Sequence, residues 1–240
     1  MNHLFSPLQR LGPTDAEELT ELYLQVEINS ENYREKLSPG PASFAERGGM
    51  FVINDLATNK RILSSDHDFV FGSFIEGHLV GMIWYDLNDH GYPIGDITYA
   101  SGFESYRDLL RREQEAKTLL TGKEVIALPE AHGGLAYLLF ENFLSATRSA
   151  GNRYMIGEVY HVDGYEDAEG YHPADLLNHP SSRVLERTGG IRIGIARQKI
   201  IDKGAYKAYI TPQVVLWEMN SAVETVQNLI KIKSEGDKNL

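Results

Sequence analysis

Two glutamates stand where charge is costly. Glu158 lies within the apolar run Tyr154-Met155-Ile156-Gly157-Glu158-Val159-Tyr160, and Glu124 heads the run Val125-Ile126-Ala127-Leu128. A carboxylate stripped of water among such neighbours keeps its proton to higher pH, the property that a general base working near neutrality needs. Glu158 is the more closely flanked, by Ile156, Val159 and Tyr160. Pairing with Arg153 would instead lower its pKa and make it structural, and either glutamate can face solvent. His161 and Asp96 are further acid–base groups. A different chemistry is written into Ala131-His132-Gly133-Gly134-Leu135-Ala136, where a short apolar strand breaks at a glycine pair and opens a helix. Glycines let backbone approach a ligand closely, and the first helical turn carries N–H groups with no intrahelical partner, so this turn can cradle a phosphate. Similar turns also occur as purely structural features.

The elements that must position these groups follow from spacing. After the glycine turn, Leu135, Leu138, Leu139, Phe143 and Ala146 recur at helical intervals, with Gly151 where a left-handed cap is expected. A strand over 154–160 follows. Asn178 reads as the N-cap of another helix that stops near Gly189. Upstream, residues 8–11 suit a strand, and Thr14-Asp15-Ala16-Glu17 forms a capping box before a helix with Leu19, Leu22, Tyr23 and Val26 on one face. Residues 69–75 and 79–85 read as a hairpin around Glu76-Gly77-His78. A helix is expected over 106–120, with Leu109, Leu110, Leu119 and Leu120 inward, and the apolar segments 191–201 and 213–219 suit a last antiparallel pair.

Composition narrows the classes. With 240 residues, 42% of them hydrophobic, the chain can bury one substantial core, so a single domain over 1–240 is expected. No apolar run is long enough to span a membrane, and residues 1–12 lack the features of a signal peptide. A cytoplasmic, soluble protein with no membrane partner is the expectation. The absence of cysteine excludes disulfides, thiolate metal sites and a cysteine nucleophile. A formal charge of -11 argues against a nucleic-acid surface. It favours a cationic partner mildly, and acidity for solubility equally. The eight histidines show no zinc spacing, so no metal is expected. His132-Gly133-Gly134 is similar to an esterase oxyanion loop, but the chain has no G-x-S-x-G elbow to supply a serine nucleophile.

Taken together, the strand, glycine turn and helix around residues 125–146 and the spacing Asn178-x-x-Ser181-x-x-Val184-Leu185-Glu186-x-x-Gly189 resemble the GNAT superfamily of acyl-CoA-dependent N-acetyltransferases. The second motif looks most like the branch that includes ribosomal-protein N-terminal acetyltransferases, and the order of elements agrees along most of the chain. The resemblance implies an α/β (α+β) fold with a mixed, mostly antiparallel central sheet, a splayed parallel pair formed by its fourth and fifth strands, and helices on both faces. It implies acetyl-CoA as cosubstrate. The pyrophosphate would rest on the amides of His132, Gly133, Gly134, Leu135 and Ala136, and the pantetheine arm along the edge of Ile126, Ala127 and Leu128. A backbone N–H near Leu128 would serve the oxyanion. Asn178 and Ser181 either touch the cofactor or simply cap their helix. The implied activity is direct transfer of an acetyl group to a primary amine, on a small molecule or a peptide, in a ternary complex. Glu158, Glu124, a histidine or ordered water would remove the ammonium proton. A homodimer is compatible with this reading.

The chain also departs from the family. Ala131 stands where Arg or Gln is usual, and Leu185 where many members carry a tyrosine that protonates the departing thiolate, a role for which Tyr160 is the substitute. These departures sustain a second expectation, a catalytically silent acyl-CoA-binding or interaction module. Two segments exceed the family minimum, at about 88–123 and 163–176. The latter, with Asp163, Glu166, Asp167, Glu169 and Asp175, reads as a solvated loop.

Overall fold

In chain order the elements are β1 (Gln9–Arg10), α1 (Ala16–Leu37), α2 (Leu56–Leu63), β2 (Asp68–Ile75), β3 (His78–Asp86), β4 (Thr98–Tyr99), α3 (Tyr106–Glu115) and β5 (Leu119–Ala127). Then come α4 (Leu135–Ser149), β6 (Tyr154–Asp167), β7 (Gly170–Leu177), β8 (Ile191–Ile195), β9 (Lys199–Asp202), β10 (Lys207–Glu218) and α5 (Met219–Gly236). The computed structural model describes residues 8–37, 54–86, 92–128, 135–177, 184–202, 204 and 206–236.

One sheet runs through the molecule in the order β1-β2-β3-β5-β6-β10-β8-β4, with β7 added to the far half of β6 and β9 to β10. Every pairing is antiparallel except β5 with β6, which run parallel. That parallel contact is short. It joins Leu119, Leu120 and Thr121 to Tyr154, Met155 and Ile156 and goes no further, so the two strands splay beyond it.

Alternation along β3 shows how the faces divide. Met82 packs with Leu19, Leu22 and Tyr23 of α1 and Ile62 of α2, whereas Ile83 and Tyr85 pack with Phe140, Phe143 and Leu144 of α4 and Val223 of α5. Helices therefore cover both faces of a mixed, mostly antiparallel sheet, the architecture expected. Leu110 of α3 covers a further stretch of sheet with Leu119, Ile156 and Ile193.

A bulge in β5 decides which face its later residues meet. Trp84 opposes Glu124, but Tyr85 opposes Gly122, leaving Lys123 as an extra residue. An extra residue reverses the alternation of all that follow. Glu124 and Ile126 consequently turn toward α1, on the face of Leu119 rather than that of Leu120.

Several sequence expectations are corrected. The helix expected over 106–120 ends at Glu115, because Lys117 takes a left-handed φ of 58°; Leu119 and Leu120 belong to β5 instead. The single strand expected over 191–201 is two strands, β8 and β9, which pair with different stretches of β10. Between them the Ala196 N–H turns to the Pro212 carbonyl, 2.8 Å away. Residues 163–176 are no loop. They form a hairpin of β6 and β7 around a tight turn, closed by Gly170 at φ 119°. The expected capping box gives way to a 3-10 turn begun by Pro13, in which the Asp15 carboxylate accepts the Gly12 N–H at 2.7 Å. The closing helix α5 was not anticipated.

Candidate active site

Glu124 is the first residue after the bulge, just past the last parallel β5–β6 pair. The Tyr23 hydroxyl of α1 donates to its Oε2. Asn54, the residue before the N-cap of α2, donates in turn to that hydroxyl at 3.3 Å. Burial pushes the Glu124 carboxyl up from its ordinary 4.5 to about 7, with the Tyr23 hydrogen bond pulling downward. Tyr23 itself, 1% exposed, is driven far above its ordinary range by burial and then by the Glu124 charge, so it remains a proton-bearing donor.

Glu158 is held otherwise. Lys199 of β9 forms an ion pair with its Oε2, and Tyr92 donates to its Oε1 at 3.2 Å. The pairing with Arg153 considered from sequence does not occur, because Arg153 binds the buried Glu113. Tyr160, two residues along β6, has its pKa pushed up to about 12 by burial first, then by the charges of Glu158 and Glu124. The Lys199 ammonium also lies 5.7 Å from the Tyr160 ring centre. Of the three residues expected to act chemically, Tyr160 thus lies within electrostatic reach of both Glu124 and Glu158, brought there by β5 and β6. The other two acid–base candidates do not join them. His161 pairs with Asp163 at 3.1 Å, and Asp96 is exposed in a 3-10 turn.

The exposed edge of β5 can be assigned from one bond. The Leu128 N–H donates to the Val80 carbonyl at 2.8 Å. In an antiparallel ladder the main-chain groups alternate sides, so those of Ile126 and Glu124 also face β3, while those of Val125 and Ala127 face the splay. Within the segment 126–128 along which the pantetheine arm was expected, Ala127 is therefore the residue whose main-chain groups face the splay, and Val125 joins it. Leu135 and Ala136 open α4 as expected. Leu135 sits over Gly81, where an added Cβ would lie 2.6 Å from its Cδ2. His132, Gly133, Gly134, Asn178 and Ser181 lie outside the described residues, as does Ala131. Leu185 is partly buried against the core shared by α4 and α5.

Sequence reasoning missed Tyr23, Asn54, Val125, Tyr92 and Lys199 as site residues. Only Tyr23 carried a signal: its phenol is a polar group on an otherwise apolar helical stripe.

No family model matches the chain, and no curated protein sequence matches it. Solved structures do. An N-acetyltransferase from Staphylococcus aureus shares 10% identity and superposes with a TM-score of 0.52 over 90% of this chain and 97% of its own. A candidate phosphinothricin N-acetyltransferase shares 12% identity, with a TM-score of 0.51 over 90% of this chain and 98% of its own. A candidate acetyltransferase of the GNAT family from Desulfovibrio desulfuricans shares 12% identity, with a TM-score of 0.50 over 90% and 99%. This is the GNAT fold. At such identities the likeness concerns architecture, and chemistry has to be argued from the residues. In this chain the splayed pair of the GNAT fold is β5 and β6, with Glu124 on one side of the opening and Tyr160 on the other. Among the described residues no helix is long and apolar enough to cross a membrane.

Proposed function

We propose that this protein moves an acetyl group from acetyl-CoA to a primary amine by direct attack in a ternary complex, with Glu124 as the base. The observation that carries the proposal is the placement of Glu124 at the point where β5 and β6 part, its carboxyl hydrogen-bonded by a phenol and paired with no described cation, while burial pushes it up to about 7. An ammonium has no lone pair with which to attack a thioester, and Glu124 can take its proton directly or through one water near neutral pH.

The surrounding residues fit the rest of the task. Val125 and Ala127 present main-chain groups that no described residue pairs, along an edge that suits the two amides of a pantetheine arm, by strand addition. The Ala127 N–H is the donor for charge building on the thioester oxygen. Leu135 and Ala136 begin a 15-residue helix whose N-terminal N–H groups favour a pyrophosphate. Glu158, engaged by Lys199 and Tyr92, serves to hold β9 against the site. Tyr160, at about 12, is a weaker acid than an alkyl thiol near 8.5. Its hydroxyl therefore steadies a departing thiolate by a hydrogen bond rather than by giving up its proton. The acceptor is a primary amine on a small molecule or a peptide.

Thiol release from acetyl-CoA across polyamines, amino acids, amino sugars and short peptides tests this reading. Glu124→Gln should keep acetyl-CoA affinity and lower turnover by roughly 10²- to 10⁴-fold. Wild-type turnover in that variant removes Glu124 as the base. Absence of turnover on every amine, together with no binding of acetyl-CoA, removes the function.

A further inference from the structure

We propose that Tyr23 is the positioning residue of this site: its hydroxyl, reaching across from α1, anchors the Glu124 carboxyl through Oε2 and so presents Oε1 to the acceptor amine. The inference rests on the reading of Glu124 as the base. It assigns to the first helix a part in the chemistry that its apolar stripe hides.

Three elements converge on this contact. Tyr23, 1% exposed, belongs to one buried cluster with Leu19 and Leu22 of α1 and the sheet residues Met82 and Ile126, so packing confines its ring. A buried phenol needs a partner for its hydroxyl. Here it has two, accepting from Asn54 at the start of α2 and donating to Glu124 of β5. Accepting from Asn54 strengthens the phenol as a donor. Oε1 of Glu124 receives no hydrogen bond from a described residue, which leaves it as the oxygen available to a proton.

The groups around Glu124 show why one hydrogen bond matters. From β6 come Tyr160 and, beyond it, Glu158 with Lys199 as its partner. From β3 comes Trp84, whose indole N–H is committed to Asp68 at 2.7 Å. Lys123 reaches Asp86 at 4.0 Å. No described cation pairs with Glu124. The Tyr23 hydroxyl is thus the described group that favours the ionised carboxylate, while burial opposes it. Removing that hydroxyl should both release the orientation of the carboxyl and make it harder to ionise.

The test is Tyr23→Phe, which keeps the ring and its packing. Carbon-detected NMR titration of the side-chain carboxyls, with Glu124→Gln identifying the Glu124 signal, is read beside the pH profile of kcat/KM. Expected is an upward move of the Glu124 titration by about one pH unit, an equal move of the acid limb of kcat/KM, and an unchanged KM for acetyl-CoA. A Glu124 titration that stays in place in the folded variant overturns the proposal. A titration that moves in a protein turning over no amine leaves the hold of Tyr23 on Glu124 intact and removes the acetyl-transfer reading instead. Should Tyr23→Phe fail to fold, Asn54→Leu takes its place, with a smaller move in the same direction expected, and no move overturns the proposal equally.

Discussion

Glu124 ties stability to pH. Between about 4.5 and 7 the unfolded chain releases this proton while the folded chain keeps it. The folded state then binds more protons, so the stability contributed by this group falls as pH rises through that window. Glu124→Gln should therefore be more stable than the wild type at pH 8, by up to about 3 kcal/mol, and should lose that advantage at pH 4. Urea unfolding at the two pH values checks both statements. Glu158→Gln should differ in kind: turnover should fall less than about tenfold, because its carboxylate is occupied by Lys199 and Tyr92 rather than by the substrate proton. Parallel initial-rate measurements on the two variants would reverse the assignment if Glu158→Gln were the slower. Both glutamates were visible in the sequence as charges in apolar strands. Which one could act as a base was not, since Tyr23 lies 101 residues from Glu124 and Lys199 lies 41 from Glu158.

At the level of elements, the site depends on two backbone devices, a bulge and a glycine. The bulge at Lys123 turns Glu124 toward α1; without it the carboxylate would point into the apolar layer under α4. Gly81 lets the first residue of α4 descend onto the sheet. An added Cβ there would meet Leu135 Cδ2 at 2.6 Å and the Ile126 carbonyl oxygen at 2.9 Å, and the second contact is with backbone that cannot swing aside. Gly81→Ala should cost about 1–3 kcal/mol of stability, the usual consequence of overpacking. It should also weaken acetyl-CoA binding by displacing the start of α4. Thermal unfolding and titration calorimetry test the two effects, and wild-type values in both would mean that this contact does not set the helix. Helix α4 and the β2–β3 hairpin could be read from periodicity and turn residues alone. The bulge could not, because it exists only as a mismatch between β5 and β3.

For the whole molecule, the proposal makes acetyl-CoA a ligand of the folded state. A hundredfold excess over Kd should add about 2.7 kcal/mol to stability and raise the melting temperature. CoA should act likewise and ATP should not, since ATP has no arm to lie along Val125 and Ala127. Equal shifts with ATP would point to a general phosphate site at the start of α4, and no shift with any of the three would count against the cradle.

What the sequence determined by itself was the architecture. Apolar periodicity and the glycine turn named a strand, helix and strand around residues 125–160, and the resemblance those elements carry implied a mixed sheet with a splayed parallel pair. Those signals are local, set by the 3.6- and 2-residue repeats of helix and strand. The tertiary structure decided how the candidate site is assembled. The short parallel contact at Leu119, Leu120 and Thr121, the outward amides of Val125 and Ala127, and the phenol on Glu124 all depend on register between distant segments. A register changed by one residue leaves every local pattern intact and reverses which side chains share a face.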